Sequence, residues 1–236
     1  MLYFINKIIQ QKELKMDVLE ALNNRKSVRA YQKKEVEKEK IELILNSAKT
    51  APSGVNTQPW NVYVVKGEKK IQIETKILEA FKNENTENMD YQYYPLKWED
   101  PYKTRRKETG LLMYKTLGIT REDKKRQKEQ WMANYRAFDA PVVLYFTMDN
   151  FLEKGSYLDY GMFLQSVMLS ATALGLGTCI QAALAQYPEI VKEELNIPKE
   201  KVLLCGIALG YEDEKALINS YRTPRVELNE FVTFVE

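Results

Sequence analysis

Between Ser156 and Leu174 the chain is apolar around most of a helix, interrupted by Asp159, Gln165 and a few hydroxyl side chains. A surface helix keeps one polar face. A helix without one belongs at the centre of something, either a large core or an interface between two copies. Its polar interruptions fit a buried helix better than a bilayer span. Gly175 and Gly177 stop it, and the rest of the chain must be arranged around it. With 236 residues there is enough chain for one domain with a sizeable core.

The flanking segments predict a mixture of helices and strands. Asp17 to Asn24 reads as a short helix with Asp17 near its N-cap, and Val36 to Thr50 as a second helix with apolar residues at helical spacing. Pro52, Ser53, Gly54 and Asn56 form a loop. Asn61 to Val65 is a strand, closed by Gly67, and Lys69 to Lys82 is again helical. Residues 83–130 are strongly charged, rich in Tyr and Trp, and weakly periodic, which predicts a partly helical insertion that varies in structure. Trp131 to Phe138 finishes a helix. Pro141 to Thr147, Thr178 to Gln181 and Val202 to Leu209 are strands, with a helix over Pro188 to Leu195. The tail from Arg222 to Glu236 reads as an extended arm. The order is α+β, without regular βαβ alternation.

The chain contains no histidine, which removes the commonest general base and histidine-based metal sites. Cys179 and Cys205 form no CxxC or zinc pattern and read as small buried apolar residues. If the protein is an enzyme, a cofactor carries its hard chemistry, and no metal is expected. A net charge of +2, from 35 basic and 33 acidic residues, is too balanced for nucleic acid as the main partner. Nothing reads as a targeting or membrane segment, so a cytoplasmic setting is expected. Residues 1–15 read as an N-terminal extension that the single domain over 16–236 does not need.

Four short constellations stand out. Arg25-Lys26-Ser27-Val28-Arg29 follows the first helix; arginine's planar fork suits phosphate, although such a run is usually a solvated cap. Ala51 to Trp60 packs Pro52, Ser53, Gly54, Asn56, Gln58 and Pro59 between helix and strand, as a loop touching a polar ring would, or as a rigid loop anchored by Trp60. Gly175-Leu176-Gly177-Thr178-Cys179-Ile180-Gln181-Ala182-Ala183 follows a helix and is therefore no dinucleotide fingerprint; it is either a C-cap or a backbone that approaches a ligand closely. Tyr221-Arg222-Thr223-Pro224-Arg225 is a basic turn before the arm.

In this order and spacing the four motifs resemble the nitroreductase family of FMN flavoproteins, over about Met16 to Glu236, and most of all its nitrobenzoate reductase-like branch. Iodotyrosine deiodinases are more distant. The resemblance implies a three-layer fold with a mixed central sheet and a C-terminal arm exchanged in a homodimer. It implies that Arg25, Lys26 and Ser27 hold the FMN phosphate and ribityl chain, with Arg225 and Arg222 joining at the phosphate. It implies that Arg29 lies near flavin N1 and O2, favouring the reduced anionic ring, and that Asn134 meets the pyrimidine edge. Pro52, Ser53, Gly54 and Asn56 would reach the cofactor from the partner subunit. Ile180, Gln181, Ala182 and Ala183 would present backbone N–H groups to N5 and O4. Ala137 stands where some relatives have lysine, and Ala182-Ala183 where some have Glu-Gly.

The implied activity is NAD(P)H-dependent ping-pong reduction of nitroaromatic or quinone-type compounds, in which flavin N5 carries the hydride and no side chain is catalytic. Tyr93, Tyr94 and Trp98 would belong to a substrate lid within 83–130. Alternatives are a flavin-dependent reductive dehalogenase or other specialised reductase, a non-catalytic FMN-binding protein, and a helical interaction protein without cofactor.

Overall fold

A computed structural model of the chain describes residues 16–85 and 88–236; the proposed extension at 1–15 lies outside them. The centre is a four-stranded sheet of β1 (Asn61–Lys66), β2 (Val142–Asp149), β3 (Gly177–Gln181) and β4 (Lys201–Gly210), in the order β1-β2-β4-β3. Seven helices surround it among the described residues: α1 (Val18–Asn24), α2 (Lys38–Ala48), α3 (Gly67–Lys82), α4 (Tyr102–Thr116), α5 (Lys124–Tyr135), α6 (Lys154–Ala173) and α7 (Pro188–Leu195).

β2 shows why the architecture has three layers. Its side chains alternate between faces. Val142, Leu144, Phe146 and Met148 enter one core with Ile41 and Ile44 of α2 and Phe163 and Val167 of α6. Val143 and Tyr145 enter a second core with Ile73 and Ile77 of α3 and Val191 of α7. Because both faces are buried, β2 reads as a nearly unbroken apolar run. Trp60 stacks on Phe163 at 4.7 Å between ring centroids, so it is the core anchor of its loop.

The expected mixed sheet is antiparallel across all four strands. Among the described residues, parallel pairing is confined to one bridge, Ser27 with Thr178. It goes no further because the next backbone groups are claimed elsewhere: Arg29 N–H donates to Asn219 Oδ1 at 2.7 Å, and Ala30 C=O accepts from Asn219 Nδ2. A second difference lies after α5. The helix ends at Tyr135, not Phe138, because Ala137, Phe138 and Asp139 all take positive φ (48°, 54° and 59°). An Arg136–Asp139 ion pair at 2.9 Å spans that turn. The insertion is more ordered than weak periodicity suggested. It contains α4 and most of α5, but α4 fully buries no side chain, so it has no apolar stripe to read. No helix among the described residues is long and apolar enough to cross a membrane.

α6 fulfils its central role on one side only. Tyr160, Phe163, Val167 and Ala171 are buried. Leu158 and Met162 stay exposed, as do Val18, Leu19 and Leu22 of the adjoining α1.

Candidate functional site

The site is assembled around β3. Gly177 opens that strand, and a Cβ there would lie 2.7 Å from Val28 Cγ2. Without one, Val28 lies flat on the strand and its N–H donates to Thr178 O at 2.9 Å. This contact brings the Arg25–Arg29 segment alongside Thr178 and Cys179. Burial pushes the Cys179 thiol pKa up, while the Arg29 charge, a hydrogen bond with Ser27 and the Arg25 charge pull it down. Cys179 is thus a buried free thiol that marks where Ser27, Arg25 and Arg29 converge.

The C-terminal turn closes on the same place. Arg222 donates to the Asn23 and Asn24 carbonyls at the end of α1. Arg225 donates to Thr223 Oγ1 at 2.9 Å and to the Thr223 and Pro224 carbonyls. The Arg25 guanidinium pKa is lowered first by burial, then by the Arg225 and Arg222 charges. Among the described residues, Arg25, Arg222 and Arg225 have no carboxylate partner within 4.0 Å. Three clustered guanidiniums without counter-charge form a site for an anion with several oxygens.

Lys26 faces another way. It pairs with Glu212 at 2.7 Å and donates to Asn219 O, which makes it a brace for the segment. A cavity of about 350 Å³ opens beside Arg25, with Lys26, Thr172, Gly175 and Glu212 among its walls. Ser27, Arg29 and residues 180–183 are outside it; Ile180 is exposed, Ser27, Arg29, Ala182 and Ala183 are half-buried, and Gln181 is buried. Behind them, Gln181 Nε2 donates to Asn134 O at 3.0 Å, and Asn134 Nδ2 donates to Trp131 O. Gln181 Oε1 and Thr178 Oγ1 are buried with no partner among the described residues.

The Pro52–Asn56 loop is elsewhere. Gly54 N–H donates to both Asp159 carboxylate oxygens at 3.2 Å, near the start of α6, whereas the Arg25 cavity is walled by Thr172 at the other end. At 1.5 Å per residue these points are about 20 Å apart along the helix. Val55, 98% exposed, takes positive φ, as does Asn56. A single copy of the chain therefore gathers three of the four sequence motifs and leaves the second apart.

Sequence reasoning missed Asn219, which organises the site. Only 2% exposed, it accepts from Arg29 N and donates to Ala30 O and Asp213 O at 2.9 and 3.0 Å. Replacing it with alanine leaves the Arg29 N–H without its partner, at about 1–3 kcal/mol, while the Ala30 C=O keeps the Asp213 N–H and the Asp213 C=O keeps the Ala216 N–H. Urea unfolding of Asn219→Ala should show a loss of about 1–3 kcal/mol. Asn219→Asp keeps the acceptor for Arg29 but turns a carboxylate oxygen toward the Ala30 and Asp213 carbonyls, so it should lose stability as well; wild-type stability in both would remove the organising role.

The aromatic insertion is rooted in the core. Tyr91 OH donates to Leu204 O at 2.8 Å and its ring packs on Tyr157. From there Tyr93, Tyr94 and Trp98 follow in successive ring contacts, with Tyr93 and Tyr94 exposed.

Comparison with known proteins places the family and the fold. Residues 22–211 match the model of the nitroreductase family. The chain is 37% identical over 216 residues to the nitrobenzene nitroreductase of Ectopseudomonas oleovorans, covering 91% of this chain and 95% of that one. It is 34% identical over 212 residues to the 4-nitrobenzoate reductase of Pseudomonas putida, covering 90% and 92%. The crystal structure of the FMN and NADPH-dependent nitroreductase NfnB from Sphigopyxis sp. strain HMH superimposes with a TM-score of 0.91 at 35% identity, covering 93% of this chain and 99% of that one.

Proposed function

Since the chain belongs to the nitroreductase family, we propose that it is a homodimeric, cytoplasmic, FMN-dependent NAD(P)H oxidoreductase that reduces nitroaromatic or quinone-type compounds by a ping-pong sequence. The observation that carries this reading is the cluster of Arg25, Arg222 and Arg225, which has no carboxylate partner among the described residues and lies beside Ser27 and the open end of β3. A dianionic phosphate with a polar ring attached fits it. The arginines and Ser27 would hold the phosphate, and the unpartnered Thr178 hydroxyl and Gln181 amide oxygen match a ligand that carries both donors and acceptors.

The redox chemistry is the flavin's own: two-electron exchange between a dihydronicotinamide and an oxidised aromatic. The chain supplies position and charge. Arg29, fixed through its N–H by Asn219 and through Nη1 by the Tyr221 hydroxyl at 3.3 Å, offers a stationary positive charge where negative charge develops. Asn134, held by Gln181, orients the pyrimidine side. The backbone of Ile180 to Ala183, no longer needing a side chain, offers N–H groups. No histidine is required, and protons come from water or a pocket hydroxyl.

Two copies complete the site. The apolar residues exposed on α1 and α6, and Phe231, Phe234 and Val235 of the arm, form the surface that a second copy covers. The Pro52–Asn56 loop then works on the partner's cofactor, and the arm crosses to the partner. The visible spectrum of the purified protein tests the cofactor. Stopped-flow mixing with NADH and NADPH tests the enzyme: a flavin that stays oxidised with both would make this a binding protein.

Tyr93, Tyr94 and Trp98 form the wall selecting flat aromatic acceptors. Aromatic contacts contribute about 0.5–1.5 kcal/mol each, so alanine at all three should raise KM for nitroaromatics about tenfold and for NAD(P)H by much less. Equal rises for both substrates would reduce the cluster to packing.

A further inference from the structure

Residues 101 to 130 carry ten basic side chains against four acidic ones, while the rest of the chain carries twenty-five against twenty-nine. The positive excess is therefore concentrated on α4, α5 and the turn between them, where all ten basic side chains are exposed. Little of it is neutralised. Among the described residues, the ion pairs from this stretch are Arg105–Glu230 at 3.8 Å and Arg126–Asp123 at 3.6 Å. Nor is α4 the polar side of a deeply packed helix, since none of its residues is fully buried and Leu112, Met113 and Tyr114 are half-buried. Its placement matters as well. α4 rests on the Leu217–Asn219 turn, which holds Arg29. α5 ends beside Asn134, which receives Gln181 Nε2. The two basic helices thus flank the region between Arg29 and Gln181.

We propose that the α4–α5 surface is an electrostatic collector for anionic co-substrates that ranks them by charge, NADPH ahead of NADH and a nitroaromatic carboxylate ahead of its neutral counterpart. This rests on the FMN oxidoreductase reading above. Exposed charges of this kind are screened over a Debye length of about 10 Å at 0.1 M salt. They act on encounter more than on the bound complex, and a focused field raises association rates by about 10–10³. The 2′-phosphate of NADPH adds roughly −1.5 to −2 charges, so it feels the field most. A built phosphate pocket would behave differently, separating NADPH from NADH at any salt concentration.

The test replaces Lys103, Lys107, Lys124 and Lys125 together, by glutamine in one protein and by glutamate in another; circular dichroism and Tm check that both fold. At low salt the glutamate variant should lose about tenfold or more in kcat/KM for NADPH, less for NADH, and less again for 4-nitrobenzoate. Nitrobenzene should change by under about twofold, as an uncharged molecule feels no field. The glutamine variant should lie midway, and the differences should largely vanish by about 0.3 M salt. Calorimetric titration of NADP⁺ and NAD⁺ into the oxidised protein gives a second readout, in which NADP⁺ should weaken more. Equal losses for charged and neutral substrates, no loss for any, or losses that salt does not erase would overturn the collector. Wild-type protein lacking flavin absorbance would instead overturn the FMN reading, and the NADP⁺ and NAD⁺ titrations would still decide the charge effect.

Discussion

Replacing both Arg25 and Arg225 with alanine should yield a colourless protein. The two lie 200 positions apart in the chain, yet the Arg225 charge, second to burial, lowers the Arg25 pKa. Neither has a carboxylate partner among the described residues. A charge-assisted hydrogen bond to phosphate contributes about 1.5–3 kcal/mol, so each single replacement should weaken FMN binding roughly tenfold to a hundredfold. The pair should weaken it by about 10²–10⁴. Lysine at Arg225 keeps charge but loses the fork, and should restore only part. Stability should respond differently in the two forms. The holo form loses the stabilisation that bound FMN confers, about 3–4 kcal/mol at ligand concentrations of 100–1,000 Kd. The apo form loses mutual repulsion among guanidiniums together with the exposed, local Arg225 bonds to Thr223 and Pro224, so its melting should move little from that of apo wild type. FMN titrations into each apo protein, followed by melting with and without excess FMN, read both effects. Unchanged FMN affinity in both single variants would remove the phosphate assignment.

Local patterns in the sequence located most elements and failed where long-range hydrogen bonds decide. The β2 run was legible because burial on both faces leaves mostly apolar residues, with Thr147 the buried polar exception. Asp17 was legible as a cap because its side chain does what a capping aspartate does, accepting from Glu20 N at 2.8 Å. Gly177 was legible as a place of close approach, although its contact, Val28, was not. The turn after α5 was illegible: Ala137, Phe138 and Asp139 take left-handed φ without a glycine or asparagine to announce it. α4 was illegible for the opposite reason, as a helix that fully buries no residue carries no periodic signal.

The site divides in the same way. Its arginines could be named through the resemblance of the four motifs to the nitroreductase family, whereas the Arg25–Arg29 run alone reads as a solvated cap. Asn219 could not, because its partners Arg29, Ala30 and Asp213 satisfy ordinary backbone groups, two of them about 190 residues away in the chain. Asp90 is a second case: it ties the root of the insertion to Lys192 at 2.8 Å and to Leu203 N at 2.7 Å. Lys26 shows the limit of a motif. Its neighbours Arg25 and Ser27 turn toward β3, while Lys26 turns to Glu212.

A heterodimer built from two defective chains should recover one working site. The basis is the distance of about 20 Å along α6 between the Gly54 loop, held by Asp159, and the cavity beside Arg25. Gly54→Trp is a suitable second lesion. A Cβ at Gly54 would meet nothing closer than Asp159 Oδ2 at 3.8 Å, and its φ is not positive. A side chain there is therefore tolerated within its own protomer, and any damage falls on whatever the loop faces. Each variant alone, Arg25→Ala with Arg225→Ala or Gly54→Trp, should form homodimers that retain little FMN. When the two are co-expressed with different tags and the heterodimer is isolated, a loop acting in trans places both lesions in one site and neither in the other. FMN content should then return to about half that of wild type, as two-fold symmetry requires. A loop acting in cis would put one lesion in each site and leave the heterodimer as empty as its parents. That outcome, or a monomer in analytical ultracentrifugation that still holds stoichiometric FMN, would end the case for a shared site. The exposed apolar faces of α1 and α6 would then need another explanation.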